Sequence, residues 1–289
     1  MKSEVSSQPS SLAAIGQKPN AANRYGFGLY LALIWLGAVI LMAVFAPIIT
    51  PYDPIAQNPT ALLQSPSWAH LLGTDDVGRD ILSRLIYGAR PTLIGVLIAV
   101  GIASLIGIPW GLVSGYVGGW VDQIMMRLAD AVLVFPGLVL TLALTTAFGA
   151  GLESTMSSLG LVFSPLIARV IRVSVLSLRN KDFVIITKMY GASMSYRLFQ
   201  HVLPNALPAT MVQITLLTGL AILAQTGLNF LGLGVQSPHP SWGASVAETF
   251  RYVMLDPMAP LIPGLVVVAT VLSIYRIGDE LRAKFEVQD

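Results

Sequence analysis

Residues 27–50 read FGLYLALIWLGAVILMAVFAPIIT, a run with no Asp, Glu, Lys, Arg or His. A helix rises 1.5 Å per residue, so roughly 20 apolar residues cross a hydrocarbon core of about 30 Å. In such a core every backbone N–H and C=O must be paired within the segment, which leaves a helix as the only way for one isolated run to span. The stretch is therefore predicted to be a transmembrane helix. Pro51, Asp53 and Pro54 stop it, because proline lacks an amide donor and biases the residue before it away from helix.

Working outward, five more apolar stretches follow, at about Leu93–Val113, Ala131–Gly149, Met156–Ala168, Leu207–Leu233 and Leu261–Tyr275. The expected fold is an all-α membrane protein of about six transmembrane helices. The fourth run is short for a full crossing. Continued through Arg169 and Arg172, whose long side chains can snorkel to one surface, it spans; read as re-entrant instead, it would move the following basic segment to the other side. Composition agrees with the membrane reading. Hydrophobic residues make up 54% of the 289 positions and charged ones 11%, against roughly 25% charged in a soluble domain. So few charges cannot coat a soluble globule. The net charge of +2 is spread along the chain without a basic tract, which argues against nucleic-acid binding. No cysteine is present to form a disulfide, a thiolate metal site or a thiol nucleophile.

Orientation follows from the basic residues, which favour the cytoplasmic ends of helices. With the N-terminus inside, 13 of the 17 Lys and Arg fall on cytoplasmic segments, and only Arg79, Arg84, Arg90 and Arg251 lie outside. Both termini are thus expected in the cytoplasm. The chain divides into a polar, disordered cytoplasmic tail over 1–26, a first transmembrane helix over 27–50, an extracytoplasmic loop over 51–91, a transmembrane region over 92–282 with an inner loop over 181–204, and a short cytoplasmic tail over 283–289. The first tail has no apolar signal core, so the first span is expected to be a retained anchor. In the outer loop, Thr74 and Asp75 can cap a short helix with Ile81, Leu82, Leu85 and Ile86 on one face and Arg79, Asp80 and Arg84 opposite. That pattern suits an interfacial helix, with direct substrate contact as the alternative.

Little in the chain can do chemistry. No phosphate-binding loop ending in Gly-Lys-Ser/Thr occurs, so any dependence on ATP must come from a partner. The interiors of the six spans lack Asp, Glu and Lys, which disfavours an ion-coupled carrier, although backbone carbonyls alone can hold sodium in some broken helices. His70, His201 and His239 are far apart and have no ligand neighbours, and neither a metal site nor a cofactor is expected. The polar Gln213, Gln225 and Asn229 on the fifth helix read either as hydrogen bonds between helices or as the lining of a translocation path.

The most informative segment is RNKDFVIITKMYGASMSYRLFQHVLPNALP, residues 179–208. Asp182 can cap a helix running to Tyr190, Gly191 permits a bend, Ser193 can cap a second short helix, and Pro204 is expected to end it. Phe183, Ile186, Met189 and Tyr190 form an apolar face that suits a partner's groove or the chain's own helix ends.

This segment resembles the EAA loop of permease subunits of ABC importers, specifically the dipeptide, oligopeptide and nickel group. Gly191, Leu203 and Pro204 fall at that pattern's spacing. Similar to the same group are HLLGTDDVGRDILSRLIYGAR (70–90), SGYVGGWVDQIMMRLADAVLVFPGL (114–138), ARVIRVSVLSLRNKDFV (168–184) and NFLGLGVQSPHPSWG (229–243), so the likeness runs from about Pro51 to Arg282. Ile185, Ile186 and Thr187 replace the Glu-Ala-Ala triplet, His201 replaces an aliphatic residue, and Gln225 stands where relatives usually carry Glu.

The resemblance implies a non-enzymatic permease in the bacterial inner membrane. Its implied partners are a second homologous permease, two ATP-binding subunits and an extracytoplasmic solute-binding protein. Asp182, Phe183, Ile186, Thr187, Lys188, Gly191, Ala192, Leu203 and Pro204 would form the surface that couples to the ATPase. Peptides are the first choice of solute, with nickel, metal-chelate opines and glutathione-like compounds as alternatives. An ion-coupled secondary transporter and a membrane scaffold are the competing classes.

Overall fold

The computed structural model describes residues 26–286; the expected tail over 1–26 and the last three residues lie almost wholly outside that range. Among the described residues there are helices and turns but no strand longer than an isolated bridge between Thr74 and Asp80. The long helices are α1 (Phe27–Ile49), α2 (Ile81–Val117), α5 (Leu152–Leu178), α8 (Leu203–Phe230) and α10 (Leu261–Glu286). All five are long and apolar enough to cross a membrane. Helices α3 (Gly119–Val134) and α4 (Gly137–Phe148) meet at 90° and, counted as one bent span, bring the candidate crossings to six. The chain expected to be one helix over 131–149 is therefore broken. Pro136 cannot continue the ladder, and Phe135 before it is extended at φ −78°, ψ 139°.

Chain direction alternates, which gives the bundle two ends. One end gathers the 51–80 loop, the short 149–151 turn and the connection after α8 with its helix α9 (Trp242–Phe250); this is the cap end. The other holds the turn after α2 and the short helices α6 (Asp182–Met189) and α7 (Met194–Arg197), which are joined to α8 by a π turn over Leu198–Val202.

The tightest packing is between α2 and α5. Gly107, Gly111 and Gly115 lie one above another on α2, and an added Cβ on each would run into the α5 backbone at Ser164, Ala168 and Arg172 and into Ile167, Ile171 and Val175. Glycine every fourth residue lets the two backbones approach, and close contact then supplies the dispersion energy that lipid cannot. Ile167, Ile171 and Val175 are fully buried as a result. Helix α1 is peripheral and is tied down by a Trp35 Nε1 donation to Thr270 Oγ1 of α10 at 3.0 Å.

Two further expectations, on the outer loop and on Pro204, need correction. No separate interfacial helix forms in the outer loop: Asp80, rather than Thr74 or Asp75, accepts from Ser83 N at 2.7 Å and caps a helix that runs unbroken through 117. Arg169 and Arg172 also gain acids that the sequence reading did not assign to them, since α3 brings Asp130 within 2.5 Å of the first and Asp122 within 2.6 Å of the second. Pro204 does not end the second short helix either. It sits in the first turn of α8, where its missing N–H is harmless, and the chain coils on from Met194 to Phe230 through the π turn.

Candidate functional site: the projecting segment and the cap

At the α6–α7 end, the caps fix a hinge. Lys181 precedes α6 without a side-chain cap, and Asp182 lies in the first turn, where its charge suits the helix dipole rather than closing the end as a cap. Gly191 follows α6 at φ +76°, a left-handed conformation that a Cβ would strain, with open space around it. Ser193 then caps α7 by accepting from Tyr196 N at 3.2 Å.

The apolar residues of this segment separate into two sets. Val184, Leu198 and Val202 are buried and anchor the segment to the bundle. Phe183, Ile186, Met189 and Tyr190 point away, with Met189 82% and Tyr190 87% exposed. Asp182, Lys188 and Pro204 are also exposed, while Thr187, Ala192 and Leu203 are half-buried. His201 lies within the π turn, its ring 5.5 Å from Tyr196 and 6.4 Å from Phe183, and its Nε2 is buried without a partner. Arg197 lies 5.6 Å above the Tyr116 ring and joins the segment to the end of α2.

Gln225 and Asn229 are brought together, but inside the chain. Gln225, 1% exposed, donates from Nε2 to Pro91 O at 3.2 Å, while its Oε1 has no partner. Asn229 donates to Ser241 Oγ at 3.0 Å and accepts from Val235 N at 3.0 Å, which holds the 231–241 connection against α8. Gln213, about 120° round the same helix from Gln225, is only half-buried and does not join them.

The cap end holds what sequence reasoning missed. Arg79 meets Asp75 at 2.6 Å and Glu248 at 3.0 Å, and Arg84 meets the same Glu248 oxygen at 2.5 Å. Arg84 also donates to Pro54 O at 2.9 Å and Pro238 O at 3.3 Å. One buried cluster thus fastens the 51–80 loop, the start of α2, the 238 turn and α9. Trp242, fully buried, adds a donation to Leu85 O at 3.0 Å. Burial, reinforced by the surrounding carboxylates of Asp75, Asp76, Asp256 and Glu248, holds the Tyr252 phenol above its usual range. The Asp75–Arg79 spacing of four was a visible signal; Glu248, 164 residues beyond Arg84, was not.

A bundle of helices long and apolar enough to cross a membrane, with an exposed apolar segment at one end and a fastened cap at the other, defines an integral membrane protein. Residues 107–284 match the model of the binding-protein-dependent transport system inner membrane component, and residues 30–66 match the N-terminal transmembrane domain of oligopeptide transport permease C. The dipeptide transport system permease protein DppC of Alkalihalophilus pseudofirmus is 39% identical over 86% of this chain and 82% of its own. The di/tripeptide permease DppC of Pseudomonas aeruginosa is also 39% identical, over 86% and 84%. Among solved structures, a chain of the MetNI methionine ABC transporter in an inward-facing conformation superposes with a TM-score of 0.60 at 17% identity, covering 70% of this chain and 97% of that one. The chain belongs to the family of binding-protein-dependent transport system inner membrane components. It is a permease subunit of an ABC importer, a multi-pass protein of the bacterial inner membrane.

Proposed function

We propose that α6, α7 and the hinge at Gly191 form the surface on which an ATP-binding subunit docks, and that the assembled importer moves small peptides handed over by an extracytoplasmic binding protein. The observation that carries the docking reading is the division of one short segment into a buried set and an exposed set of large apolar residues. Water around Phe183, Ile186, Met189 and Tyr190 is unfavourable by about 25 cal/mol per Å² of apolar surface, and a partner groove removes that cost. In this reading the complex holds a second homologous permease and two ATP-binding subunits, which hydrolyse the ATP, and nucleotide state shifts the populations of inward- and outward-open forms.

The α6–α7 end then faces the cytoplasm, with both termini. Charge supports this orientation: at the cap end Asp75 and Glu248 offset Arg79 and Arg84, which leaves only Arg90 and Arg251 without an acid among the described residues there. At the other end Arg127, Lys181, Lys188 and Arg197 make no ion pair with an acid among the described residues. The peptide reading is supported by the relatives, which are named for dipeptide and di/tripeptide transport.

The test pairs mass spectrometry of ligands retained by the cognate binding protein with uptake of those ligands into vesicles holding the full complex. Peptides retained and taken up only with ATP are expected. Retained nickel or a metal chelate would overturn the substrate, and uptake driven by an ion gradient without ATP-binding subunits would overturn the coupling.

A further inference from the structure

Five of the described arginines are paired with acids. Arg79 and Arg84 share Asp75 and Glu248, Arg169 and Arg172 have Asp130 and Asp122, and Arg276 has Glu280. Arg90 is different. It is exposed on α2, about two and a half turns in from the cap end, and meets no carboxylate and no hydrogen-bond acceptor. Its side chain lines a cavity of about 330 Å³ between α2, the start of α5 and the connection after α8. Tyr87, Pro91, Ile94, Leu152 and Val235 make most of the wall, and no acid lines it. Behind the wall, Gln225 braces Pro91 through the 3.2 Å hydrogen bond to its carbonyl.

An unmatched guanidinium on an apolar wall has a defined complement: a carboxylate attached to an apolar body. Arginine presents paired N–H donors that match a carboxylate's two oxygens, and such charge-assisted bonds strengthen where water is scarce. The volume is at the lower end of ligand pockets, suited to a solute of dipeptide size and too small for the two acyl chains of a phospholipid. The walls belong to α2, α5 and the α8 connection, elements of the packed bundle, and not to peripheral α1.

We propose that Arg90 and this cavity form a receiving site at the extracytoplasmic mouth, where the C-terminal carboxylate of the incoming peptide pairs with Arg90 and an apolar side chain rests on Tyr87, Ile94 and Val235. The inference builds on the peptide-importer reading and names where the permease itself meets the solute. A phospholipid phosphate offers similar chemistry to Arg90, so the experiment separates the two.

The assembled complex, with its binding protein, is reconstituted in phosphatidylcholine vesicles and in vesicles with added phosphatidylglycerol. Uptake of a free dipeptide and of its C-terminal amide is measured for the unaltered protein, Arg90→Gln and Arg90→Lys. Co-purification of the subunits shows that each variant assembles. Loss of a charge-assisted pair should raise KM for the free dipeptide about tenfold or more in Arg90→Gln. The amide should be nearly unaffected, the variant should lose its preference for the free acid, and Arg90→Lys should recover part of it. The same result in both lipids is expected. Equal loss for acid and amide, an effect present only with phosphatidylglycerol, or unchanged kinetics would overturn the site. An unaltered complex that takes up no peptide would overturn the peptide reading itself, and this ligand assignment with it.

Discussion

The α2–α5 seam and the α6–α7 segment are both apolar, yet they dispose of that character in opposite ways. In the seam, three glycines of α2 bring two backbones together until Ile167, Ile171 and Val175 lose all contact with solvent. In the segment, Phe183, Ile186, Met189 and Tyr190 stay exposed on α6, and a glycine at positive φ turns the chain away directly after them. Where small residues permit contact, the chain satisfies its own surface. Where a hinge prevents it, the surface is left for another chain.

The comparison breaks most sharply at Gly111. Leucine there must displace the α5 backbone at Ala168 as well as Ile171, so Gly111→Leu should remove most folded protein from the membrane. Immunoblots of membrane fractions check this, and an unchanged level would show that the seam can open at no cost. Next comes the cap. Arg84→Ala leaves the largely enclosed Glu248 with one partner fewer and removes a buried guanidinium that ties four segments together, at a cost of about 3 kcal/mol. Thermal unfolding of the detergent-purified chain should show a clear drop in Tm, and a double Arg84→Met, Glu248→Leu variant should recover part of it.

The exposed side should behave otherwise. Replacing Met189 and Tyr190 by serine touches no internal contact and should leave stability within about 0.5 kcal/mol. It should nevertheless weaken association with the ATP-binding subunit by about tenfold or more, since large apolar anchors dominate interfaces; titration of the purified partners gives the number. The smallest effect is expected for Gln225→Leu. It loses one hydrogen bond but also removes a buried Oε1 that has no partner, so the net change should stay within about 1 kcal/mol. Unchanged uptake in that variant would mark Gln225 as a brace, and a change in solute preference would return it to the path.

The sequence showed the spans wherever local pattern decides the matter. The uncharged run 27–50 and the glycine after Tyr190 act through neighbouring residues, and both are read correctly from them. The errors came from distant partners or from proline's position. The start of α2 looked like a surface helix because Arg79 and Arg84 seemed exposed, and only Glu248, far along the chain, explains their burial. The single helix expected over 131–149 took no account of Pro136, where the helix breaks, whereas Pro204 was read as a stop but begins one. Gln225 and Asn229 looked equally suited to a path or to packing, and their partners, Pro91, Ser241 and Val235, lie on other parts of the chain. The glycine ladder on α2 was legible in principle, as glycine at every fourth position, but was passed over.

The central claim is that the segment around Gly191 serves a partner and not the fold. Gly191→Pro forces φ near −65° where the chain now adopts +76°, and it removes the Gly191 N–H that donates to Lys188 O at 3.1 Å. Measuring membrane level, ATP-binding subunit co-purification and solute uptake in one strain carrying this change tests the claim most directly. The account predicts a near-normal membrane level, because the spans are untouched, with co-purification and uptake lost together. Normal uptake with the ATP-binding subunit still bound, or loss of the protein from the membrane before any loss of binding, would contradict it.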